Sequence, residues 1–178
     1  MSVSKNRRLQ VRKRAGFACE YCGVTEADVG GILTRDHFQP LARGGGDEQD
    51  NLIYCCHRCN ECKSDYWPQG PDSPTLWNPR REAAAAHFTE DEVGSLLAST
   101  ETGRFTLRRL RLNRPPLVAN RLRQRQRRNE EPLLSRLRDM TRISEQLQAQ
   151  NQSLVEENHA LLLEQRYLLE LLVKQAQP

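Results

Sequence analysis

The most regular stretch of the chain is its last third. Leu133, Met140, Leu147, Leu154, Leu161 and Leu168 stand seven residues apart, and Leu137, Ser144, Asn151, Asn158, Gln165 and Leu172 fall midway between them. Apolar residues at one heptad position, with polar ones in the middle of the other, predict a helix with a narrow seam suited to a coiled coil. Asparagine at such a position lowers stability but favours two parallel strands in register, because its amide pairs with its symmetry mate. Pro132 suits the first turn of that helix. Residues 133–175 then make a rod of about 64 Å at 1.5 Å per residue. The seam is too narrow for a helix lying on its own globular domain, so the expectation is a homodimer or a coiled-coil partner protein. Leu162, Leu163, Leu169 and Leu171 widen the stripe near the end and leave a higher oligomer or an antiparallel pair open.

Upstream the pattern is short and broken. Gly31-Ile32-Leu33-Thr34 and Asn51-Leu52-Ile53-Tyr54 read as two strands separated by a loop-rich stretch from Pro40 to Asp50. A helix beginning near Cys59 would carry Asn60 and Lys63. Pro68, Pro71, Pro74 and Pro79 then mark extended chain. Residues 82–97 can be helical, although Gly94 weakens that reading, and Pro115-Pro116 ends whatever precedes it. Three parts result: 1–66, a proline-rich then arginine-rich extension over 67–129, and the heptad region over 130–178. The fold class expected is α+β with a long C-terminal helix.

Composition sharpens this division. Hydrophobic residues are 37% of the 178 and charged ones 28%, so one large core is not expected. The net charge of +4 is unevenly spread. Residues 1–129 hold 22 basic and 15 acidic side chains, a net of +7, whereas residues 130–178 hold 5 and 8, a net of −3. From Arg104 to Arg128 there are 10 arginines and no acid, which points to a polyanionic partner or to a solvated arginine face. No apolar run reaches the roughly 20 residues of a membrane span and no signal segment opens the chain, so a soluble cytoplasmic protein without a membrane partner is expected.

All six cysteines lie between positions 19 and 62. With no sign of export, paired C-x-x-C spacings argue for metal binding rather than disulfides. Cys19 and Cys22 form one pair. Cys56 and Cys59 form a second, but Cys59 and Cys62 have the same spacing, so spacing leaves the second pair open. Four thiolates make a closed structural Zn²⁺ site that ties a small domain together and implies no reaction.

Between the pairs stand Asp36-His37-Phe38-Gln39-Pro40, the glycines at 44–46, and Asp50-Asn51-Leu52, followed by Cys56-x-x-Cys59-Asn60-x-x-Lys63. Introduced by Cys19-x-x-Cys22, this order resembles the HNH endonuclease family over about residues 10–66. The resemblance implies a ββα-metal fold, two strands and a helix around one divalent ion. It selects Cys56 and Cys59 as the second zinc pair, because the metal-binding residue follows the last ligand, and leaves Cys55 and Cys62 for packing. It also implies His37 as general base, Asp36 and Asn60 as ligands of a catalytic Mg²⁺ or Mn²⁺, and Asn51 as the residue that orients the histidine. Asn60 stands where the family name has histidine, a known variant.

The chemistry has its own logic. A neutral imidazole near pH 7 can take a proton from water. A carboxylate and an amide oxygen are hard donors suited to Mg²⁺ or Mn²⁺. DNA is the partner implied, with RNA open as an alternative. Phosphate contacts are expected from Lys63, Arg104, Arg108, Arg109, Arg111, Arg114, Arg121 and Arg123. His57, His87 and His159 read as structural or surface residues. The competing expectation is a non-catalytic, zinc-stapled DNA-binding protein dimerised by a zipper, since heptads following an arginine block resemble a basic zipper. Pro115-Pro116 and Pro132 stand against the long helix that such a reader needs.

Overall fold

The computed structural model describes residues 5–175, which divide into two compact units, one up to Arg125 and one from Gln126 onward. The first unit opens with α1 (Lys5–Arg14) and the single-turn α2 (Glu26–Val29). Strands β1 (Thr34–His37) and β2 (Leu52–Cys55) and the helix α3 (His57–Lys63) follow. A second hairpin, β3 (Phe88–Glu90) and β4 (Leu96–Ala98), precedes α4 (Glu101–Arg109) and α5 (Pro115–Gln175). The result is a small mixture of strands and helices with a long C-terminal helix.

β1 and β2 pair antiparallel, with Thr34 opposite Cys55, Asp36 opposite Ile53 and His37 opposite Leu52. α3 packs on β1 and α1 on β2. All four residues of β2 are buried, which explains its unbroken run of apolar residues where a half-exposed strand would alternate. α1 is almost wholly polar, and polar contacts fasten it around its one fully buried side chain, Val11. Arg14 donates to the carbonyls of Gln49 (2.7 Å) and Leu52 (2.6 Å), and Arg12 grips the Glu26 carboxylate with two bonds of 2.7 and 2.6 Å. Glu26 also accepts from the Tyr54 hydroxyl, whose oxygen in turn accepts from the N–H of Leu33, the residue before β1.

Three sequence expectations shift. The first strand begins at Thr34, not Gly31, so Asp36 and His37 lie within it and not after it. Gly30 ends α2 in the left-handed conformation, and Ile32 is 72% exposed, leaving that stretch nothing to pair with. Residues 82–97 form a 3₁₀ turn and the β3–β4 hairpin instead of a helix. The Asp91 carboxylate accepts from the N–H groups of Val93 and Ser95, and Gly94 supplies a φ of 80°, which together close a tight turn. Finally, Pro132 lies inside α5 rather than in its first turn. The helix starts at Pro115-Pro116, where missing N–H groups cost nothing. Around Pro132 every described residue is exposed, so the carbonyl that loses its partner can turn to water.

The core of the first unit extends past the β1–β2 hairpin. Tyr21 meets Trp77 edge-on at 6.4 Å, Trp77 meets Phe88 at 5.4 Å, and Leu110, Leu112 and Leu117 are buried with them. In the second unit every described residue from Gln126 onward is exposed, including the heptad positions Leu133, Met140, Leu147, Leu154, Leu161 and Leu168, each more than half so. Val173 and Gln175 fall on side chains outside those described, as does Leu171 of the widened stripe. No described helix is long and apolar enough to cross a membrane.

Candidate active site and metal centre

The two cysteine pairs converge. The Sγ atoms of Cys19, Cys22, Cys56 and Cys59 all lie within 4.8 Å of one another. Cys22 and Cys56 are 3.8 Å apart, the edge expected of a tetrahedron whose ligands stand about 2.3 Å from a zinc ion. The first knuckle turns at Gly23 (φ 75°), whose N–H bonds to the Cys19 carbonyl. The second opens α3: Cys56 caps the helix, and its sulfur accepts from Cys59 N–H at 3.4 Å. Hydrogen bonds from Cys19, then Cys22 and Cys59, push Cys56 towards its thiolate. Cys62 stands outside the tetrad and Cys55 is buried beside it, its thiol raised by burial. Four uncrosslinked thiols at this spacing fit zinc.

Arg114 completes the centre. Its Nη2 lies 3.7 Å from Cys56 Sγ and 3.8 Å from Cys59 Sγ. Burial is the largest single influence and lowers the guanidinium's pKa, but the bond to Cys59 and the charges of Cys59, Cys22 and Cys56 together outweigh it and the pKa is raised.

A second cluster lies across the hairpin. Asp36 and His37 from β1 and Asn60 from α3 line one open cavity of about 410 Å³, with Glu61 and Asp65 at its edge. His37 Nε2 is 2.8 Å from Asp47 Oδ1. A carboxylate only accepts, so the ring proton belongs on Nε2 and the lone pair on Nδ1. The same bond, ahead of nearby positive charge, holds the Asp47 carboxyl below its ordinary range.

Asp36 is 15% exposed, and its Oδ2 lies 2.8 Å from Lys63 Nζ, whose side chain is wholly buried. The ammonium also donates to the carbonyls of His37 (2.8 Å) and Ser64 (3.3 Å). Burial raises the Asp36 pKa, and Lys63 opposes the rise. The Asp36 carboxylate and the Asn60 amide line the same cavity, and their oxygens are hard donors of the kind that suit a divalent cation.

Asn51 touches the loop that follows His37, not the imidazole itself. Its amide donates to the carbonyls of Gln39 (3.0 Å) and Gly46 (2.8 Å), its Oδ1 accepts from Gln39 N–H at 2.8 Å, and its carbonyl accepts from Phe38 N–H. This fastens both ends of the loop that carries Asp47 to His37. Gly45 is needed there: a Cβ would stand 1.9 Å from the Gln39 carbonyl oxygen.

The residues expected to meet phosphate are divided. Arg104, Arg108, Arg111 and Arg123 are exposed, with Arg104 paired to Glu101. Lys63, Arg109, Arg114 and Arg121 have donors committed inside the protein. Arg109 donates to the Lys63 carbonyl and lies over the Tyr66 ring, while Arg121, 8% exposed, holds Gly94, Leu112 and Asn113. His57 is exposed beside Glu61, and His87 bonds to Thr100 and Glu82. Sequence reasoning missed Asp47, whose one signal was its place just after the glycine run.

Residues 19–66 match the family model of HNH endonuclease, so this segment is an HNH endonuclease domain, containing both knuckles, the hairpin and α3. The match does not extend to the chain beyond Tyr66. Among curated proteins no match is found.

Proposed function

We propose that the protein is a metal-dependent HNH endonuclease that hydrolyses phosphodiester bonds in DNA. The observation that carries this reading is the shared cavity of Asp36, His37 and Asn60 within the HNH segment. His37 Nδ1 takes the proton of the attacking water while Asp47, on the far nitrogen, steadies the imidazolium that forms. Asn51 keeps that pair in place through the loop. Asp36 and the Asn60 side-chain oxygen hold Mg²⁺ or Mn²⁺. Bound there, the ion supplies charge neutralisation on the phosphate and stabilisation of the leaving oxygen. The structural Zn²⁺ sits on Cys19, Cys22, Cys56 and Cys59, and a thiol set kept reduced for zinc suits the cytoplasm. Residues 1–66 do the chemistry, 67–129 wrap and extend it, and 133–175 pair as a parallel homodimeric coiled coil, supported by the exposed heptad seam.

The test is cleavage of supercoiled plasmid with Mg²⁺ or Mn²⁺ by the parent, His37→Ala and Asn60→Ala. Loss of cutting in both variants is expected; variants that cut like the parent would sink the site assignment. One observation favours the second reading, a non-catalytic zinc-binding, zipper-dimerised DNA-binding protein. α5 runs through Pro132, so exposed Arg123, Arg127 and Arg128 and the heptads share one helix. Metal-independent DNA binding without cleavage would select it.

A further inference from the structure

By strand alternation Arg35 and His37 are same-face neighbours on β1 while the Asp36 carboxylate turns towards Lys63, and at the strand's end His37 also reaches the cavity that Asp36 lines. α1 reaches the His37 end of this region through Arg7, whose guanidinium donates to the Asp47 carbonyl at 3.0 Å. Between α1 and β1 runs a groove of about 350 Å³ lined by Arg8, Arg12, Arg35, Leu9, Leu33 and Tyr54. Arg12 is held by Glu26. Arg35 enters the groove from β1 and Arg8 from α1. Two guanidinium groups brought to one groove repel each other and together favour an anion between them.

We propose that this groove is a seat for a backbone phosphate next to the one cut at His37, with Arg35 and Arg8 as its contacts. The proposal rests on the nuclease reading and deepens it. Same-face neighbours on a strand are about 6.8 Å apart, so a nucleic acid strand crossing His37 passes Arg35 at an adjacent phosphate. The planar fork of arginine suits a phosphate in two-point contact. This seat lies outside the 104–128 arginine block, three of whose seven candidate contacts, Arg109, Arg114 and Arg121, bond inward.

The experiment measures binding of full-length protein to a labelled DNA duplex across a salt series, without added divalent cation so that nothing is cut. Each lost phosphate contact lowers the slope of log affinity against log salt by about 0.9. Arg35→Gln and Arg8→Gln should each lower it by that amount, and Arg35→Lys should keep it. Arg142→Gln, on the exposed stretch of α5 in the second unit, should leave it unchanged. Arg8 is exposed on α1, so Arg8→Gln reads the site even if Arg35→Gln disturbs the hairpin. Parental slopes in both glutamine variants, with binding retained, would overturn the seat alone, as would an equal drop in Arg142→Gln. A parent that binds no DNA at all would remove the nuclease reading and the seat together.

Discussion

Lys63→Met is the most revealing single change to the fold. The ammonium it removes is fully buried and 2.8 Å from the Asp36 carboxylate, which is itself only 15% exposed. Deleting one partner of a buried pair leaves an uncompensated charge and costs about 3–5 kcal/mol. The carbonyls of His37 and Ser64 lose a donor as well, which places the expected loss near the top of that range. Set against a typical domain stability of about 5–15 kcal/mol, this is a large fraction. Urea unfolding followed by tryptophan fluorescence, with zinc saturating, is the assay, since Trp67 and Trp77 both report on the first unit. Asp36→Asn/Lys63→Met should recover much of the loss, giving a coupling of about 2 kcal/mol or more in the double-mutant cycle. The pH dependence has a defined sign. Burial already raises the Asp36 pKa and Lys63 opposes it, so without Lys63 the folded state binds a proton more readily than the unfolded chain. Stability of Lys63→Met therefore falls as pH rises through the folded pKa, and the variant is less impaired at pH 4 than at pH 7. A loss under about 1 kcal/mol, or an additive cycle, would refute the ion pair as a determinant of the fold.

Three further outcomes are expected. Zinc should bind one ion per chain; Cys59→Ser should abolish it and Cys62→Ser should retain it, by colorimetric metal release, and equal zinc in both would break the tetrad assignment. Glu26, held by Arg12 first and the Tyr54 hydroxyl next, has its pKa lowered to about 2, so its stabilisation is present above the ordinary carboxylate range and is lost as pH falls towards 2. Melting temperatures from pH 5 to 2 should fall steeply for the parent and flatly for Glu26→Gln; parallel curves would dismiss this linkage. In sedimentation equilibrium the parent should be a dimer at micromolar concentration, and Asn151→Leu/Asn158→Leu should be more stable but mixed in oligomer number. A monomeric parent would rule out pairing through this seam.

What could be read from the chain beforehand had a local cause. C-x-x-C spacing fixes the reach of two thiolates, and a seven-residue repeat fixes a helical face, so both are visible without coordinates. The strands were visible as short apolar runs, although their ends depended on pairing: Asp36 and His37 join β1 because Ile53 and Leu52 stand opposite. Asp47 was invisible as a partner of His37 because a glycine loop, folded back by Asn51, brings it there. Charge counting likewise cannot tell an arginine facing solvent from Arg109, Arg114 or Arg121, whose acceptors are carbonyls and sulfurs distant in sequence. The β3–β4 turn depended on Asp91 capping its own loop, a local signal weaker than the alanine run before it.

The packing of Trp77 against Tyr21, the Arg80–Glu20 ion pair at 3.2 Å and the Arg114 contacts with the knuckle sulfurs set the smallest piece that can be grafted elsewhere. Excised at Tyr66, the HNH stretch would expose an aromatic ring and strip charge compensation from its own cysteines. A chimaera maker, or recombination in a genome, has to move the piece as far as Arg125 to carry its buttress along.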